Sequence, residues 1–280
     1  MRRPWTIAIT LALAVGACAP GPPGSTDRRE VLLAATTSVQ DSGLLDALVR
    51  AFEAESGLRL RASVQGTGAA LGLGARGQVD VLLTHEPRQE LAFMEAGSGK
   101  RRVLVMHNEF VLVGSPADPA AARGRSIDDA FRAIAASGAT FVSRGDRSGT
   151  DVAEKSVWGR IGVTPKAPWY IESGTGQAQS LVVASERKAY MLVDSGTFLS
   201  QRSGLALELL VEPRPRLINP YHAITVHPAK FPKVNARGAD AFVDFLLSPV
   251  GQRLIGEHGR DRYGTPLFTP AAGLDEGSLR

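Results

Sequence analysis

Short apolar runs alternate with polar, glycine-rich junctions along most of the chain, and the runs come in two periods. Runs rich in Val, Leu, Ile and Ala over 30–35, 58–64, 79–83, 139–143, 169–171, 188–193 and 207–211 are short enough for buried strands. Leu44, Leu45, Leu48, Val49 and Phe52 instead recur at helical spacing until Gly57 stops the helix. Residues 87–96, 236–247 and 249–258 also read as helices. Strands that alternate with helices predict an α/β fold. Two longer runs stand apart. One spans 102–113 with a polar interruption at His107-Asn108-Glu109, and the other spans 217–226 through Asn219-Pro220-Tyr221-His222. Both read as strands that cross between lobes, which predicts a hinge, with one lobe from 30–113 and 219–280 and the other from 114–218. The helical last third is expected to pack back on the first lobe. No internal repeat is visible.

The amino terminus has a different pattern. Met1-Arg2-Arg3 precedes an apolar stretch over 5–17, too short to span a bilayer, that ends in Val15-Gly16-Ala17-Cys18. Small residues before a lone cysteine fit a lipoprotein signal over 1–17, cleaved ahead of Cys18, which is then acylated. Residues 18–29, rich in Pro, Gly and Ser, form a flexible tether. The expected location is extracytoplasmic, anchored by lipid to the bacterial envelope on the periplasmic side or at the cell surface. With Cys18 as the one cysteine, a disulfide framework and a thiolate metal site are both excluded. Loss of Arg2 and Arg3 lowers the formal charge from +4 to about +2. No basic stripe carries interleaved aromatics, so nucleic acid is not an expected partner.

The candidate chemistry lies in the junctions. The strand over 139–143 runs into Arg144, Asp146 and then Ser148-Gly149-Thr150-Asp151, where Ser148 and Asp151 have capping-box spacing at a helix start. A helix N-terminus leaves backbone NH groups unpaired and carries partial positive charge, so it stabilises an anion without any metal. Arg144 adds a permanent charge on a planar fork of donors, and Ser148 and Thr150 add hydroxyls. Three other junctions repeat this chemistry: Thr37-Ser38 with Asp41 at capping-box spacing from Ser38, Gly66-Thr67-Gly68, and Thr175-Gly176. Four such loops at the carboxyl ends of strands are expected to converge on one oxyanion site, as ligands do in open α/β sheets. Asp146 has two open roles: it accepts a proton from the ligand, or it pairs with Arg144 or Arg147 and leaves a pocket of donors alone.

Other signals carry less. Gly72-Leu-Gly-Ala-Arg-Gly77 matches a dinucleotide fingerprint but does not follow a strand directly, and the five histidines have no metal-ligand spacing. Ser148 lacks the G-x-S-x-G elbow of a hydrolase. No catalytic residue, cofactor or bound metal cation is expected.

Taken together, Ala35-Thr-Thr-Ser-Val-Gln-Asp-Ser-Gly-Leu-Leu45, Gln65-Gly-Thr-Gly-Ala-Ala-Leu71, Asp80-Val-Leu-Leu-Thr-His-Glu-Pro87, Val105 to Gly114 and Ser143-Arg-Gly-Asp-Arg-Ser-Gly-Thr150 resemble the substrate-binding proteins of tungstate ABC transporters. The likeness continues through Trp158, Gly174 to Gln177, Tyr190 to Thr197 and Asn219-Pro-Tyr221. It implies a type II periplasmic-binding-protein fold whose two lobes close on a tetrahedral oxyanion. Tungstate is the implied ligand, with molybdate as a second candidate, and delivery runs to a membrane permease and its ATPase from a monomeric binding protein. One departure is Ala35, where the family usually has a threonine. The Arg-x-Asp-x-Ser-Gly-Thr core is also similar to phosphate-binding proteins, so phosphate is the alternative ligand. An anion-sensing module that signals to a membrane receptor is the alternative role.

The anchor and the site are separate in sequence. Cys18→Ala is therefore expected to release the protein from the membrane fraction while anion binding stays unchanged; a variant that still sediments with membranes by the same route removes the lipoprotein assignment.

Overall fold

The computed structural model describes residues 29–279, so the signal, Cys18 and most of the tether lie outside the described residues. β1 (Glu30–Thr36) turns through α1 (Thr37–Asp41) into α2 (Leu44–Ser56), which Gly57 ends in the left-handed region. β2 (Arg59–Gln65), α3 (Thr67–Gly74), β3 (Val81–Thr84), α4 (Pro87–Glu95) and the long β4 (Gly99–Gly114) follow. The middle of the chain supplies α5 (Ile127–Ser137), β5 (Phe141–Ser143), α6 (Gly149–Arg160), β6 (Tyr170–Glu172) and α7 (Gln177–Glu186). After these come β7 (Met191–Asp194), α8 (Ser195–Gln201) and β8 (Glu208–Val211). β9 (Leu217–Val226) returns to the first lobe, where α9 (Ala236–Leu247), α10 (Pro249–Glu257), α11 (Arg260–Tyr263) and β10 (Thr269–Pro270) complete it.

The first-lobe sheet has the order β10-β4-β9-β3-β1-β2. Its β1 is parallel to β2 and β3, while β9 is antiparallel to both β3 and β4. β1 is apolar from Val31 to Ala35: Val31, Leu33 and Ala35 join a core with Phe52 and Phe242, and Ala34 joins the opposite core with Leu82 and Phe93. The carboxyl end of β4 belongs to the second lobe, where β7 and β8 pair with it. There Phe110 and Leu112 pack with Phe131, Phe141 and Trp158, while Val111 and Val113 pack with Leu181 and Met191. β5 pairs with β6 and bridges Tyr190 next to β7.

Among the described residues, only β4 and β9 are strands that run between these cores, antiparallel to each other from Gly99↔Val226 to Phe110↔Leu217. The polar His107-Asn108-Glu109 segment falls where β4 leaves Val105 and Met106 in one core and reaches Phe110 in the other. It marks the crossing.

Two strand starts differ from the sequence pattern by three residues, for identifiable reasons. β4 begins at Gly99, before the charged Lys100 and Arg101, because those side chains reach out to Asp240 and Asp244 on α9 while their backbone joins the sheet. The strand expected from residue 188 begins at Met191 because Lys188, at φ 52°, lies in the left-handed turn that closes α7.

Glu154 on α6 is buried in the second lobe, where its Oε1 accepts from Trp158 Nε1 at 2.9 Å and from the Tyr170 hydroxyl at 2.7 Å. Burial pushes its carboxyl up to about 7, against these hydrogen bonds. A carboxyl raised in the folded state contributes stability that is present below its unfolded value near 4.5 and is lost as pH rises through about 7. Between pH 5 and 8 the wild type should thus lose on the order of 3 kcal/mol through this group. Glu154→Gln keeps the accepting oxygen and removes the charge. Urea unfolding at the two pH values should show the loss in wild type and its absence in the variant.

Candidate functional site

The starts of α1 and α3 in the first lobe lie against the second lobe, α1 against the start of α7 through Thr37 and Asp41, and α3 against the loop before α6 through Gly66 and Asp146. The residues that start α1, α3 and α7 are Thr36, Gly66 and Gly176, and none gives a side-chain cap, so first-turn NH groups are left for other partners. The start of α6 is capped by Ser148, whose Oγ accepts from Asp151 NH at 3.3 Å. Asp151 does not return the bond to Ser148 as a full capping box requires. Its carboxylate instead accepts from Gly145 NH at 3.1 Å and Arg147 NH at 3.0 Å, and Ser148 NH goes to Asp146 Oδ1 at 3.1 Å. These bonds hold Gly145 at φ 63° and Arg147 at φ 60°; for Arg147 this is a strained conformation that an L side chain rarely adopts. The result is a tight loop over 143–148 whose side chains are set before any ligand arrives.

Arg144 is 2% exposed and is the one buried guanidinium of this loop. Its Nη1 donates to Gln177 Oε1 at 3.0 Å, and its Nη2 forms an ion pair with Asp146 Oδ2. Thr150 donates to the same Gln177 oxygen at 2.9 Å. Both oxygens of Asp146 are therefore engaged by donors of its own loop, Arg144 Nη2 and Ser148 NH. Around them, Arg144 Nε, Gln177 Nε2, Gln65 Nε2 and Thr67 Oγ1 are buried without a hydrogen-bond partner among the described residues. Buried polar atoms are nearly always paired, so the unpaired donors on Arg144, Gln177, Gln65 and Thr67 are open to an acceptor.

The other predicted residues are placed as follows. The Thr37 methyl lies 3.7 Å from the position a Cβ on Gly176 would take, and Gly66 is 3.7 Å on the same measure from Asp146 Oδ2, so the four loops meet across the lobes. Ser38 corrects the sequence pattern: Thr36, not Ser38, precedes the helix, and Asp41 reaches the second lobe to accept from Ala178 NH at 3.3 Å. Ser38 Oγ accepts from the Tyr221 hydroxyl at 2.9 Å. Gly68 sits beside Gln89 of α4. The Thr175 hydroxyl turns into its own loop and shares a hydrogen with Ser180 Oγ at 3.1 Å. Gly149 packs against His85, whose carbonyl oxygen and Nδ1 would each lie 2.6 Å from a Cβ.

Sequence patterns missed Gln177 and a buried polar group at the crossing strands. Gln177 opens a helix after Gly174-Thr175-Gly176, the position from which a side chain turns back over its own N-terminus. At the crossing, His85 Nδ1 donates to Asn219 Oδ1 at 2.8 Å, and its ring stacks on Tyr221 with centroids 4.7 Å apart. Burial holds the His85 ring below its usual range, with Asp194 and the Asn219 bond opposing. The signal for this group was the polar residues inside two otherwise apolar strands. Two cavities flank the donors and do not enclose them: one of about 280 Å³ touches His85, Gly149 and Asn219, and one of about 410 Å³ touches Asp41, Ser200 and Arg262.

Residues 21–250 match the PBP superfamily domain model. The chain is 41% identical to the tungstate-binding protein TupA of Peptoclostridium acidaminophilum over 276 residues, which covers 95% of this chain and 96% of that one. Among solved structures, it is similar to the tungstate ABC transporter protein of Geobacter sulfurreducens, with a TM-score of 0.76 and 39% identity over 81% of this chain and 98% of that one. It is also similar to the tungstate-binding protein TupA of Desulfovibrio alaskensis G20, with a TM-score of 0.73 and 42% identity over 87% and 99%.

The approach of Gly149 to His85 leaves no room for a methyl group. Gly149→Ala is expected to hold the lobes apart at this point and weaken anion binding by about tenfold or more, while each lobe keeps its own core, since overpacking costs about 1–3 kcal/mol. Calorimetric titration together with a thermal melt checks both parts; unchanged affinity means that this contact is not part of the bound form.

Proposed function

This chain belongs to the PBP superfamily, and from that premise we propose that it is an extracytoplasmic lipoprotein that binds tungstate between its lobes and delivers it to an ABC importer. The observation that carries the proposal is the set of buried donors without acceptors around Arg144, Gln177, Gln65 and Thr67, collected at four helix N-termini. Molybdate is the second candidate ligand, and Cys18 is the anchoring residue.

The charge balance supports an anion bound chiefly by oriented dipoles. Asp146 offsets the formal charge of Arg144, so a dianion gains most from backbone NH groups at the helix starts and from the neutral side-chain donors. The engagement of Asp146 also favours tungstate over the phosphate alternative. Hydrogenphosphate brings a proton that needs an acceptor, whereas tungstate and molybdate at neutral pH bring oxygens alone. Thr37, Ser38, Gly66, Thr67 and Gly68 form the first-lobe side of the site. Arg144, Ser148, Gly149, Thr150, Thr175 and Gly176 form the other side, with Gln177 added. Neither set encloses a tetrahedral ligand, so binding is better in the closed arrangement than in the open one, and that difference draws the lobes together.

Calorimetric titration of the soluble body with tungstate, molybdate, sulfate and hydrogenphosphate tests the ligand class. Tungstate should bind, with molybdate next, and hydrogenphosphate should bind far more weakly. Arg144→Ala should lose about tenfold or more in affinity, and more than Thr37→Ala, because a charged donor is worth about 1.5 to 3 kcal/mol. Preference for hydrogenphosphate, or an Arg144→Ala variant that folds and binds as before, overturns the assignment.

A further inference from the structure

A chain of hydrogen bonds runs through the hinge from one lobe to the other and ends on a hydroxyl of the proposed site. Asp194, at the end of β7, is 0% exposed, and its Oδ1 accepts from Asn108 Nδ2 at 2.9 Å as well as from Thr197 NH at 2.9 Å. A carboxylate only accepts, so the Asn108 amide must present its nitrogen to Asp194 and its oxygen away from it. That oxygen accepts from Asn219 Nδ2 at 2.8 Å, which fixes the Asn219 amide in turn, and Asn219 Oδ1 receives His85 Nδ1. The same Asn219 nitrogen donates to the Tyr221 hydroxyl oxygen at 3.0 Å. With that oxygen taken, the single Tyr221 proton goes to Ser38 Oγ at 2.9 Å. Burial and the nearby Asp194 hold the Tyr221 phenol well above its usual range, so this proton stays in place. Thr36 Oγ1, 3.4 Å away, is the other hydroxyl beside Ser38.

We propose that Tyr221 is a positioning residue, which turns the Ser38 hydroxyl into a fixed donor toward the bound anion and so discriminates against oxyanions that carry a proton. The inference rests on Ser38 facing the ligand as proposed above and adds a cause from outside the site. A serine hydroxyl in isolation rotates to donate or accept as its ligand requires. Here the order imposed from Asp194 through Asn108, Asn219 and Tyr221 makes Ser38 Oγ an acceptor toward Tyr221, takes up one of its two lone pairs and directs its hydrogen away from Tyr221, toward the ligand. The steps connect β7 to β4, β4 to β9 and β9 to α1, with Asn219 and Tyr221 two residues apart on β9. Discrimination by proton content is therefore set at the hinge.

The test uses the soluble body, titrated calorimetrically with tungstate in the absence and presence of excess hydrogenphosphate at mildly alkaline pH, which yields both dissociation constants. Tyr221→Phe keeps the ring and removes the hydroxyl. It should weaken tungstate binding by about tenfold, the scale of one net hydrogen bond, while hydrogenphosphate binding holds or improves, so that the ratio of the two constants narrows. In a Ser38→Ala background the same substitution should cost nothing further, because the hydroxyl it orients is gone. A purely structural tyrosine lowers thermal stability and leaves the ratio unchanged, and that outcome overturns the inference. If Tyr221→Phe does not fold, Asn219→Asp carries the test. Its carboxylate accepts from Tyr221, reverses the order and turns Ser38 into an acceptor, so the ratio should again narrow; an unchanged ratio overturns the inference here too. Wild-type protein that binds neither anion overturns the functional assignment together with this inference, whereas tungstate binding with a ratio unmoved by Tyr221→Phe overturns this inference alone.

Discussion

A buried guanidinium is stable only if its hydrogens and its charge are answered, and the way Arg144 is answered organises the rest of the site. Asp146 takes the charge and Gln177 takes a hydrogen, and each of these partners is held in turn: Asp146 by Ser148 NH, and Gln177 by Thr150. The arrangement ties the loop after β5 to the start of α6 and to the start of α7. It also leaves Arg144 Nε and Gln177 Nε2 without partners among the described residues, as the proposed oxyanion site would use them. Pre-organisation of this kind lowers the ordering cost at the moment of binding.

The loop geometry shows what that arrangement requires of the backbone. Gly145 and Arg147 both lie at positive φ, and Asp151 holds them there with two backbone hydrogen bonds from beneath, while Lys155 supplies a counter-charge at 3.0 Å. Glycine adopts such a conformation readily and arginine does not. The unfavourable Arg147 conformation persists because its NH is taken by Asp151 and its carbonyl by Gln89 of the opposite lobe, the latter at 3.3 Å. The same residue thus contributes to loop shape and to contact between the lobes.

The hinge carries a second buried polar system. Polar groups inside a strand pair are costly unless paired; Asn108, Asn219, Tyr221 and His85 pair with one another and Asn108 pairs with Asp194 Oδ1, while Asp194 Oδ2 and His107 Nδ1 have no partner among the described residues. Their presence accounts for the polar break in β4, which an apolar crossing would not need. A network at this place touches both lobes and the hydroxyl of Ser38, so the segment that permits relative motion is also in contact with the site.

Much of this was legible from residue order. Alternating apolar runs specified the α/β class because the parallel strands are buried on both faces, and the two long runs with polar interiors marked the crossings because a strand that changes cores has a stretch belonging to neither. Gly66-Thr67-Gly68 and Ser148-Gly149-Thr150 were recognisable because orphaned NH groups at helix starts require short, small residues around them. What tertiary structure decided was partnership. Capping-box spacing placed Asp41 with Ser38 and Asp151 with Ser148; Ser148 does cap Asp151 NH, yet the Asp151 carboxylate supports Gly145 and Arg147, and Asp41 crosses to Ala178. The choice of Arg144 over Arg147 for Asp146 and the role of Gln177 were likewise undetermined by spacing. Local sequence fixes which backbone groups are left unpaired, but a side chain takes the partner that folding brings within hydrogen-bond reach, and here that partner often lies on another element or the other lobe.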